Sequence, residues 1–345
     1  MTTANAAGIA KICRRLDGIP LALELAAARV RLLSIEQICE KLDDRFRLLV
    51  GESRAVSRHH TLLATLQSTF DSLTRDEQLA LGHWSIFVGG WTLQAPTAID
   101  GAADEIEMLG RLGRLVDKSV VLVDRMGAGE PRYRLLETVR EFARQRLEES
   151  GAGNGIRERH LGFLAAFAKT AQANLFTADM RSWLDRIDTE LPNLLAAHAA
   201  CDRSPGGTLA GLELAINMRT YWLPRGLFAL GQRIYDEALA RGGIDSRAKV
   251  RGRALYALGQ HQYVRGVLGE ALGPTEQALS IAREHSDDEW VVYCLDKMSI
   301  AFAWLGNWQR ALQCCTEELA AARATGEPRL LAFTRGEGRR LPCAR

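Results

Sequence analysis

The chain has 345 residues, with 44 Lys and Arg against 42 Asp and Glu, which gives a formal net charge of +2. This near balance excludes a global field that would draw the whole chain to nucleic acid or to an anionic membrane. Apolar residues make up 47% of the sequence and aromatic residues 7%, a mixture typical of closely packed helices. The length predicts two or three domains.

No targeting or membrane segment is legible in the sequence. The N-terminus lacks the apolar core of a signal peptide, and no stretch approaches the ~20 apolar residues that a membrane span requires. We therefore expect a cytoplasmic protein without a membrane partner.

Residues 1–52 are predicted to contain three helices. The first ends at Asp17-Gly18, and Pro20 then occupies a favoured early position in the second. Ser34 and Gln37 have the spacing of a capping box, which predicts the start of the third helix. The stretch from Gly51 to His60 is polar and aperiodic, as in a linker.

In residues 57–150 the sequence pattern predicts helices followed by a hairpin. Thr74 and Glu77 have capping-box spacing, while Thr92 and Asp104 are predicted caps of two further helices. Two β-branched or aromatic runs (119–124 and 132–136) flank a glycine-containing turn and predict a β-hairpin. A last helix is predicted to end at Gly151. This order of elements within ~90 residues indicates a winged helix.

Residues 155–345 show an internal helical repeat. The register of 40 residues is carried by three sets of positions: Gly226, Gly266 and Gly306; Gly231, Ala271 and Ala311; Leu239, Leu279 and Leu319. Small residues at such positions allow helices to approach closely, and the leucines fill the seam. The predicted fold is thus mostly α: a helical segment, a winged helix with one small β-hairpin, and an α-α solenoid of tetratricopeptide-like repeats.

Aromatic side chains of this array are the candidates for partner binding, because exposed aromatics on a solenoid anchor peptides or ligands. The partner would be a protein or a small molecule. The alternative for each aromatic is a place in the core between repeats. The candidates are Tyr221, Trp222, Tyr263, Trp304 and Trp308.

Several segments of the chain resemble motifs of one protein family, and they occur in the same order as in that family. ICRRLDGIPLALELAAARV (12–30) resembles the GLPL-type motif of NB-ARC ATPases, in the form found in bacterial AfsR-like and LuxR-type regulators. These are signal-transduction ATPases with numerous domains. Residues 61–96 and 133–151 look like the start and end of their winged helix, and 191–201 looks like the beginning of their tetratricopeptide-like array. The resemblance implies that residues 1–52 are part of a helical lid.

The chain departs from that family in lacking the motif G-x-x-x-x-G-K-[ST], which cradles nucleotide phosphates. The family binds ATP and ADP, and its GLPL-type proline, here Pro20, lies against adenine. Without the phosphate cradle we expect no enzymatic activity and no cofactor in this chain. Pro20 would contact adenine only if a nucleotide-binding domain were supplied in trans, and otherwise it starts a helix. The sequence shows no metal-ligand spacing, since His59 and His60 are adjacent.

The charge of the predicted winged helix argues against DNA binding. Between residues 57 and 150, eleven basic and fourteen acidic residues give −3, whereas proteins that bind duplex DNA cluster cations. A local basic strip could still form from Arg132, Arg134, Arg140, Arg144 and Arg146. The alternative is that these arginines pair with Glu137, Glu141 and Glu148.

The hypothesis that fits these patterns is a non-catalytic regulatory module. The repeats would bind a partner or ligand, and the winged helix would relay that state to a nucleotide domain or a partner chain. Three alternatives stay open: a DNA-binding transcription regulator acting through the winged helix, a residual ATP-binding protein, and a fragment without function.

Overall fold

The computed structural model describes residues 3–15, 23, 26–27, 30, 33–41, 66–101, 104–124, 130–203 and 206–334. The chain divides into two compact units, Met1–His160 and Leu161–Arg345. Within the described ranges it is helical apart from one β-hairpin and one isolated β-bridge, which confirms the predicted fold class. None of the helices in these ranges combines the length and apolar character that a membrane span requires.

Two helices are described in the N-terminal region, α1 (Thr3–Arg15) and α2 (Ile35–Lys41). The predicted capping box at the start of α2 is confirmed. The backbone N–H of Ser34 donates to Gln37 Oε1 at 3.0 Å, and that of Gln37 donates to Ser34 Oγ at 3.2 Å. A small apolar core joins the helices through Ile12, Ala26 and Ile38. That this region is part of a lid stays a prediction.

The winged helix begins with a helical segment at 66–71. It continues through α3 (Arg75–Trp84), α4 (Gln94–Asp100), α5 (Glu105–Asp117), β1 (Val121–Asp124), β2 (Arg132–Leu135) and α6 (Glu137–Glu149). Asp104 caps α5 as predicted, accepting from the N–H of Glu107 at 2.8 Å. The prediction for Thr92 is wrong. Leu93 precedes the first residue of α4, and the Thr92 hydroxyl lies 3.0 Å from the Gln94 side chain instead of capping the backbone.

The hairpin forms where the sequence predicts it, with Val121 opposite Leu135. The sequence did not predict its extension by a β-bridge between Trp91 and Tyr133, whose backbones exchange two hydrogen bonds of 2.8 Å. Gly90 makes this approach possible. Its φ is +88°, and a Cβ built there would lie 2.6 Å from the Tyr133 carbonyl oxygen.

Aromatic rings form the centre of the winged helix. The rings of Phe87 and Trp91 stack with centroids 5.3 Å apart, and Trp84 lies 5.9 Å from Trp91. The His160 imidazole meets the Phe87 ring edge-on at 5.2 Å. His160 is fully buried, and this burial lowers its pKa to about 4. The histidine is therefore a neutral core residue at physiological pH.

Glu77 links two helices of this unit. Its carboxylate accepts from the backbone N–H of Thr74 at 2.8 Å, which completes the predicted capping box. The same side chain accepts from the Lys118 ammonium at 2.7 Å, at the end of α5. This hydrogen bond lowers the pKa of Glu77 although the residue is only 1% exposed. One carboxylate thus caps α3 and ties it to the residue that follows α5.

The second unit is built from stacked helices. They are the end of α7 (Gly153–Asn174), α8 (Met180–Ala200), α9 (Gly207–Asn217), α10 (Phe228–Ala240), α11 (Lys249–Val264), α12 (Leu268–Glu284), α13 (Asp288–Trp304), α14 (Trp308–Thr325) and α15 (Pro328–Thr334). The pairs α11–α12 and α13–α14 form hairpins, and α12 also packs on α13. The apolar core runs from α7 to α11 and then through α11 to α14.

The turns of the repeat share one hydrogen-bond pattern. Gly226, Gly266 and Gly306 have φ of +65°, +81° and +78°. The residue after each glycine donates to the carbonyl five positions earlier: Leu227 to Trp222, Val267 to Gln262 and Asn307 to Phe302, at 3.0, 3.1 and 2.9 Å. This bond is typical of a glycine-terminated helix end. We expected these glycines to permit close helix approach, but nothing lies within 4 Å of a Cβ built on them, so their role is conformational.

Close helix approach does occur at two other glycines. A Cβ on Gly231 would lie 2.8 Å from atoms of Trp222 and His261, and one on Gly259 would lie 2.3 Å from Thr275 Oγ1. The prediction for Gly231 is therefore confirmed.

Candidate interaction surfaces

Helix α5 precedes the hairpin, the place of the recognition helix in a helix-turn-helix protein. Its inner face buries Met108, Leu112 and Leu115 in the core of the winged helix. Its outer face carries two large apolar side chains, Ile106 at 82% and Leu109 at 52% exposure. The amphipathic helix thus exposes apolar surface where a DNA-reading helix presents hydrogen-bonding side chains.

Two glycines continue this apolar face. Ile106, Leu109, Gly110 and Gly113 follow the i, i+3, i+4, i+7 spacing of one helix face. A Cβ on Gly113 would meet nothing within 4 Å, and one on Gly110 would meet only the Arg114 side chain at 3.7 Å. The backbone is therefore accessible beside the two apolar side chains, as required for close approach of another polypeptide.

The cations of α5 are held by carboxylates. Arg111 donates to Glu107 at 2.9 Å. Arg114 lies 3.4 Å from Glu77, the residue that also binds Lys118. These charges are neutralised within the domain, which lowers the number of counterions that they could displace from DNA.

The arginines of the predicted basic strip are also paired. Arg140 binds Glu137 and Arg144 binds Glu141, as we predicted for these two carboxylates. The predicted partner Glu148 instead pairs with Arg157. The remaining contacts are Arg134 with Asp124 at 2.8 Å, Arg146 with Glu149 at 2.6 Å, and Arg132 with the Gly90 carbonyl at 3.0 Å. The arrangement favours a solvated, internally neutralised face.

Two of the five aromatic candidates of the array are core residues. Tyr221 is 0% and Trp222 1% exposed, so neither presents surface to a partner. The Tyr221 hydroxyl donates to Asp188 at 2.6 Å, and the Trp222 ring lies against Gly231. Burial raises the pKa of Tyr221 above its usual range. Their prediction as anchors is corrected: both are core residues, and the Trp222 ring fills the space that the small Gly231 leaves.

The other three candidates retain accessible surface. Tyr263 is half-buried, and the Lys297 ammonium lies 5.7 Å from its ring centroid. Trp304 is 64% and Trp308 70% exposed. A role for these three residues in partner binding stays a prediction.

The structure gives Trp222 and Trp304 different environments at two positions of the repeat. Trp222 aligns with Gln262 and Phe302, all three of which are buried, whereas Trp304 aligns with Pro224 and Val264, which are exposed.

The adenine contact proposed for Pro20 lies outside the described residues and stays a prediction. In the part of the chain that the structure describes, no group of three or more His, Cys, Asp or Glu side chains is arranged to hold a metal ion.

A family model described as a winged helix-turn-helix domain matches residues 73–148, in agreement with the geometry of α3 to α6. A protein of Mycobacterium tuberculosis assigned by name to the HTH-type transcriptional regulators is 37% identical over 301 residues. That match covers 84% of this chain and 34% of the relative. The chain therefore spans about a third of the length of this relative.

Two further similarities are shorter or more distant. An uncharacterized protein of Mycobacterium bovis is 42% identical over 161 residues, which cover 45% of this chain and 40% of that protein. A crystal structure of a signal-transduction ATPase with numerous domains and a tetratricopeptide repeat sensor, from Pyrococcus horikoshii, is 16% identical with a TM-score of 0.30. It covers 92% of this chain and 55% of that chain.

Proposed function

We propose that this chain is a regulatory part of a transcription regulator, in which the winged helix acts through contacts with protein and the helical array holds a partner. The name of the M. tuberculosis relative and the winged helix-turn-helix match support the link to transcription. The partner of the winged helix would be a nucleotide-binding domain or another chain.

The observation that carries the proposal is the outer face of α5. Ile106 and Leu109 present apolar surface at the recognition position, and Glu105 and Glu107 are exposed beside them. Phosphates would be repelled by these carboxylates, whereas an apolar protein surface would gain from covering the two side chains. The paired arginines of α6 offer DNA little free charge.

The array contributes the second part of the proposal. Helical repeats bind partners over surfaces made by several repeats, and Trp304 and Trp308 are exposed aromatic side chains of the kind that dominate such interfaces. Binding of a partner there would change the protein contacts that the winged helix makes.

The decisive experiment compares two variants in the native host. The double variant Ile106→Ser with Leu109→Ser removes the apolar face of α5 without adding charge. The control is Leu79→Ser, which alters an exposed leucine of α3 in the same domain. We expect transcript levels of the regulated genes to change in the double variant as in a gene deletion, and to be unaffected in the control. Unchanged transcripts in a folded double variant would overturn the proposal.

Direct DNA binding is the second candidate, favoured by the domain class and by the name of the relative. Fluorescence anisotropy of a labelled duplex with the purified chain tests it at low and physiological salt. Salt-steep binding that weakens in Arg144→Glu would establish this function in place of protein contact. We expect no such binding, because Arg144 is already paired with Glu141.

We also propose that this chain alone does not hold nucleotide, since its sequence lacks the phosphate cradle. Equilibrium titration with labelled ATP and ADP in the presence of magnesium tests this point. Saturable binding by a folded, monodisperse sample would contradict it.

A further inference from the structure

The outer face of α5 contains both projecting side chains and recesses. Ile106 and Leu109 are its large apolar side chains, at 82% and 52% exposure. Gly110 and Gly113 lie on the same face and are also exposed. A Cβ on Gly113 would meet nothing within 4 Å. Exposed apolar surface of this kind marks an interaction site, and the two glycines allow another backbone to approach α5 closely beside it.

The spacing of these four residues matches itself in an antiparallel pair of α5 helices. When Ile106 of one helix lies opposite Gly113 of a second copy, the same register places Leu109 opposite Gly110. Two-fold symmetry repeats both contacts, so that each large side chain faces a glycine. A symmetric dimer interface requires one patch that is complementary to itself, and the outer face of α5 has this property.

The charges along one edge of this face are complementary in the same register. Glu107 and Arg114 lie on one side of α5, and their side chains are 58% and 57% exposed. In the two-fold pair, Glu107 of one copy and Arg114 of the other would lie on the same side of the contact, about 3 Å apart along the helix axis at a rise of about 1.5 Å per residue. The two copies of Glu107 would lie further from each other than from these arginines. The register that matches the shapes therefore also brings opposite charges together.

The partners of these two charges within the domain are bound by other residues as well. Arg111 contacts Asp100 at 3.4 Å, and Glu77 accepts from Lys118 at 2.7 Å. Both partners would therefore stay paired if the two exposed charges turned towards a second copy. Pairing across the dimer would not leave an uncompensated buried charge behind.

We propose that α5 pairs with α5 of a second copy of this chain, antiparallel and about a two-fold axis. A second copy is favoured because both the shape and the charge of the face are complementary to themselves. A different segment, of this chain or of another, would match them only if its own sequence supplied the same spacing. The inference rests on the proposed function in that α5 contacts protein, and it names that protein. A single pair of helices makes a contact smaller than a standard interface, so we expect a weak, reversible dimer.

Sedimentation of the purified full chain over a range of micromolar concentrations tests the dimer. We expect a monomer–dimer equilibrium that is weakened roughly tenfold or more in Gly113→Leu, because the new side chain would fill the recess that receives Ile106. Leucine favours a helix more than glycine does, so this variant should keep its fold. Gly162→Leu is the matched control, since Gly162 is also an exposed helical glycine with nothing within 4 Å of a Cβ. It should dimerise as the wild type does.

Exchange of charges separates a second copy from any other occupant of the face. Glu107→Arg and Arg114→Glu should each weaken the dimer, because like charges then lie side by side in both symmetric contacts. An equimolar mixture of the two variants should restore association, since each contact between the two kinds of chain again joins opposite charges. Thermal unfolding of each variant alone verifies that it is folded.

Three results would overturn the proposal: a wild type that stays monomeric, a Gly113→Leu variant that dimerises as strongly as the wild type, or a mixture of charge variants that does not associate. Host transcripts measured for the double variant Ile106→Ser with Leu109→Ser separate this inference from the proposed function. Changed transcripts with a monomeric wild type would leave the regulatory role standing and assign the face to another protein. Unchanged transcripts with the dimer formed as described would leave the dimer standing and reject the proposed function.

Discussion

The winged helix and the helical array differ in how their apolar side chains are buried: the first has one central core, and the second has a series of interfaces between helices. In the winged helix, a cluster of Trp84, Phe87 and Trp91 fills one centre, and charged side chains pair around it. In the array, the same hydrogen-bonded turn recurs every 40 residues, and apolar side chains lie along successive interfaces. A closed core leaves few apolar positions uncovered, whereas a stack of repeats exposes an interface wherever a neighbour is absent.

Because of this difference, an apolar residue of the same type has to be interpreted differently in the two regions. In the winged helix, exposed apolar side chains on α5 stand out against a surface of paired charges. In the array, a tryptophan is core or surface according to its position in the repeat, as Trp222 and Trp304 show.

The largest expected effect sharpens that contrast within the array. Trp222→Ala should destabilise the second unit by about 3–5 kcal/mol, because it removes a buried ring and leaves a cavity. Trp304→Ala should change its stability by no more than about 0.5 kcal/mol, since that ring is 64% exposed. Hydrogen exchange of the α10 and α11 amides measures both. Similar costs for the two variants would contradict the assignment of Trp222 to the core.

The next prediction concerns the carboxylate that links α3 to α5. Glu77→Gln should destabilise the winged helix by about 2 kcal/mol, less than for a fully buried pair because Lys118 is 38% exposed. Glu107→Gln is the control, because the Glu107 side chain that pairs with Arg111 is 58% exposed, and its cost should lie within about 0.5 kcal/mol. Thermal unfolding at neutral pH compares them.

The pH dependence of this variant has a definite sign. The pKa of Glu77 is lowered in the folded state, so its stabilisation is present above the unfolded pKa and disappears as the pH falls through the folded value. The gap between wild type and Glu77→Gln should therefore close in acid. A gap that persisted at the lowest pH would show that packing, and not the ion pair, causes the loss.

Buried histidines provide a smaller effect that the two regions share. His160 in the winged helix and His198 in the array each have a pKa lowered to about 4, chiefly by burial. Between that value and the unfolded pKa the unfolded chain binds more protons, so stability is full above the unfolded pKa and falls with decreasing pH. Each histidine should therefore lower the free energy of unfolding of its unit by about 2 kcal/mol when the pH is lowered from 7 to 5. His160→Phe should flatten this dependence in the first unit alone, as measured by hydrogen exchange.

The smallest effect tests the repeated turn. Gly266→Ala should destabilise the array by about 1 kcal/mol, because its φ of +81° is unfavourable for any residue with a Cβ. Gly269→Ala lies three residues further on, inside α12, where a Cβ meets nothing within 4 Å. That control should be neutral or slightly stabilising. Equal losses in the two variants would contradict a conformational role for Gly266.

Local signals in the sequence predicted much of the fold. The capping boxes at Ser34 and Thr74, the hairpin and the 40-residue register all depend on short-range hydrogen bonds or on spacing, so they are visible in the residue order. The bridge between Trp91 and Tyr133 was not predicted, because it joins positions that only the folded domain brings together. The outer face of α5 was missed for another reason. Apolar residues lie on two sides of α5, and the sequence does not show which side packs on the core and which carries Ile106 and Leu109 to the surface.

The glycine turns of the array have a consequence for how such a protein can change its length. Each turn is fixed by bonds within its own few residues, from Gly226 to Gly306. Gaining or losing one whole repeat would leave the remaining turns as they are, and the geometry inside each remaining hairpin would be unchanged. The length of the array can then vary in steps of one hairpin. The number of hairpins then sets the length of the array, because the turn inside each hairpin is stabilised by its own hydrogen bonds.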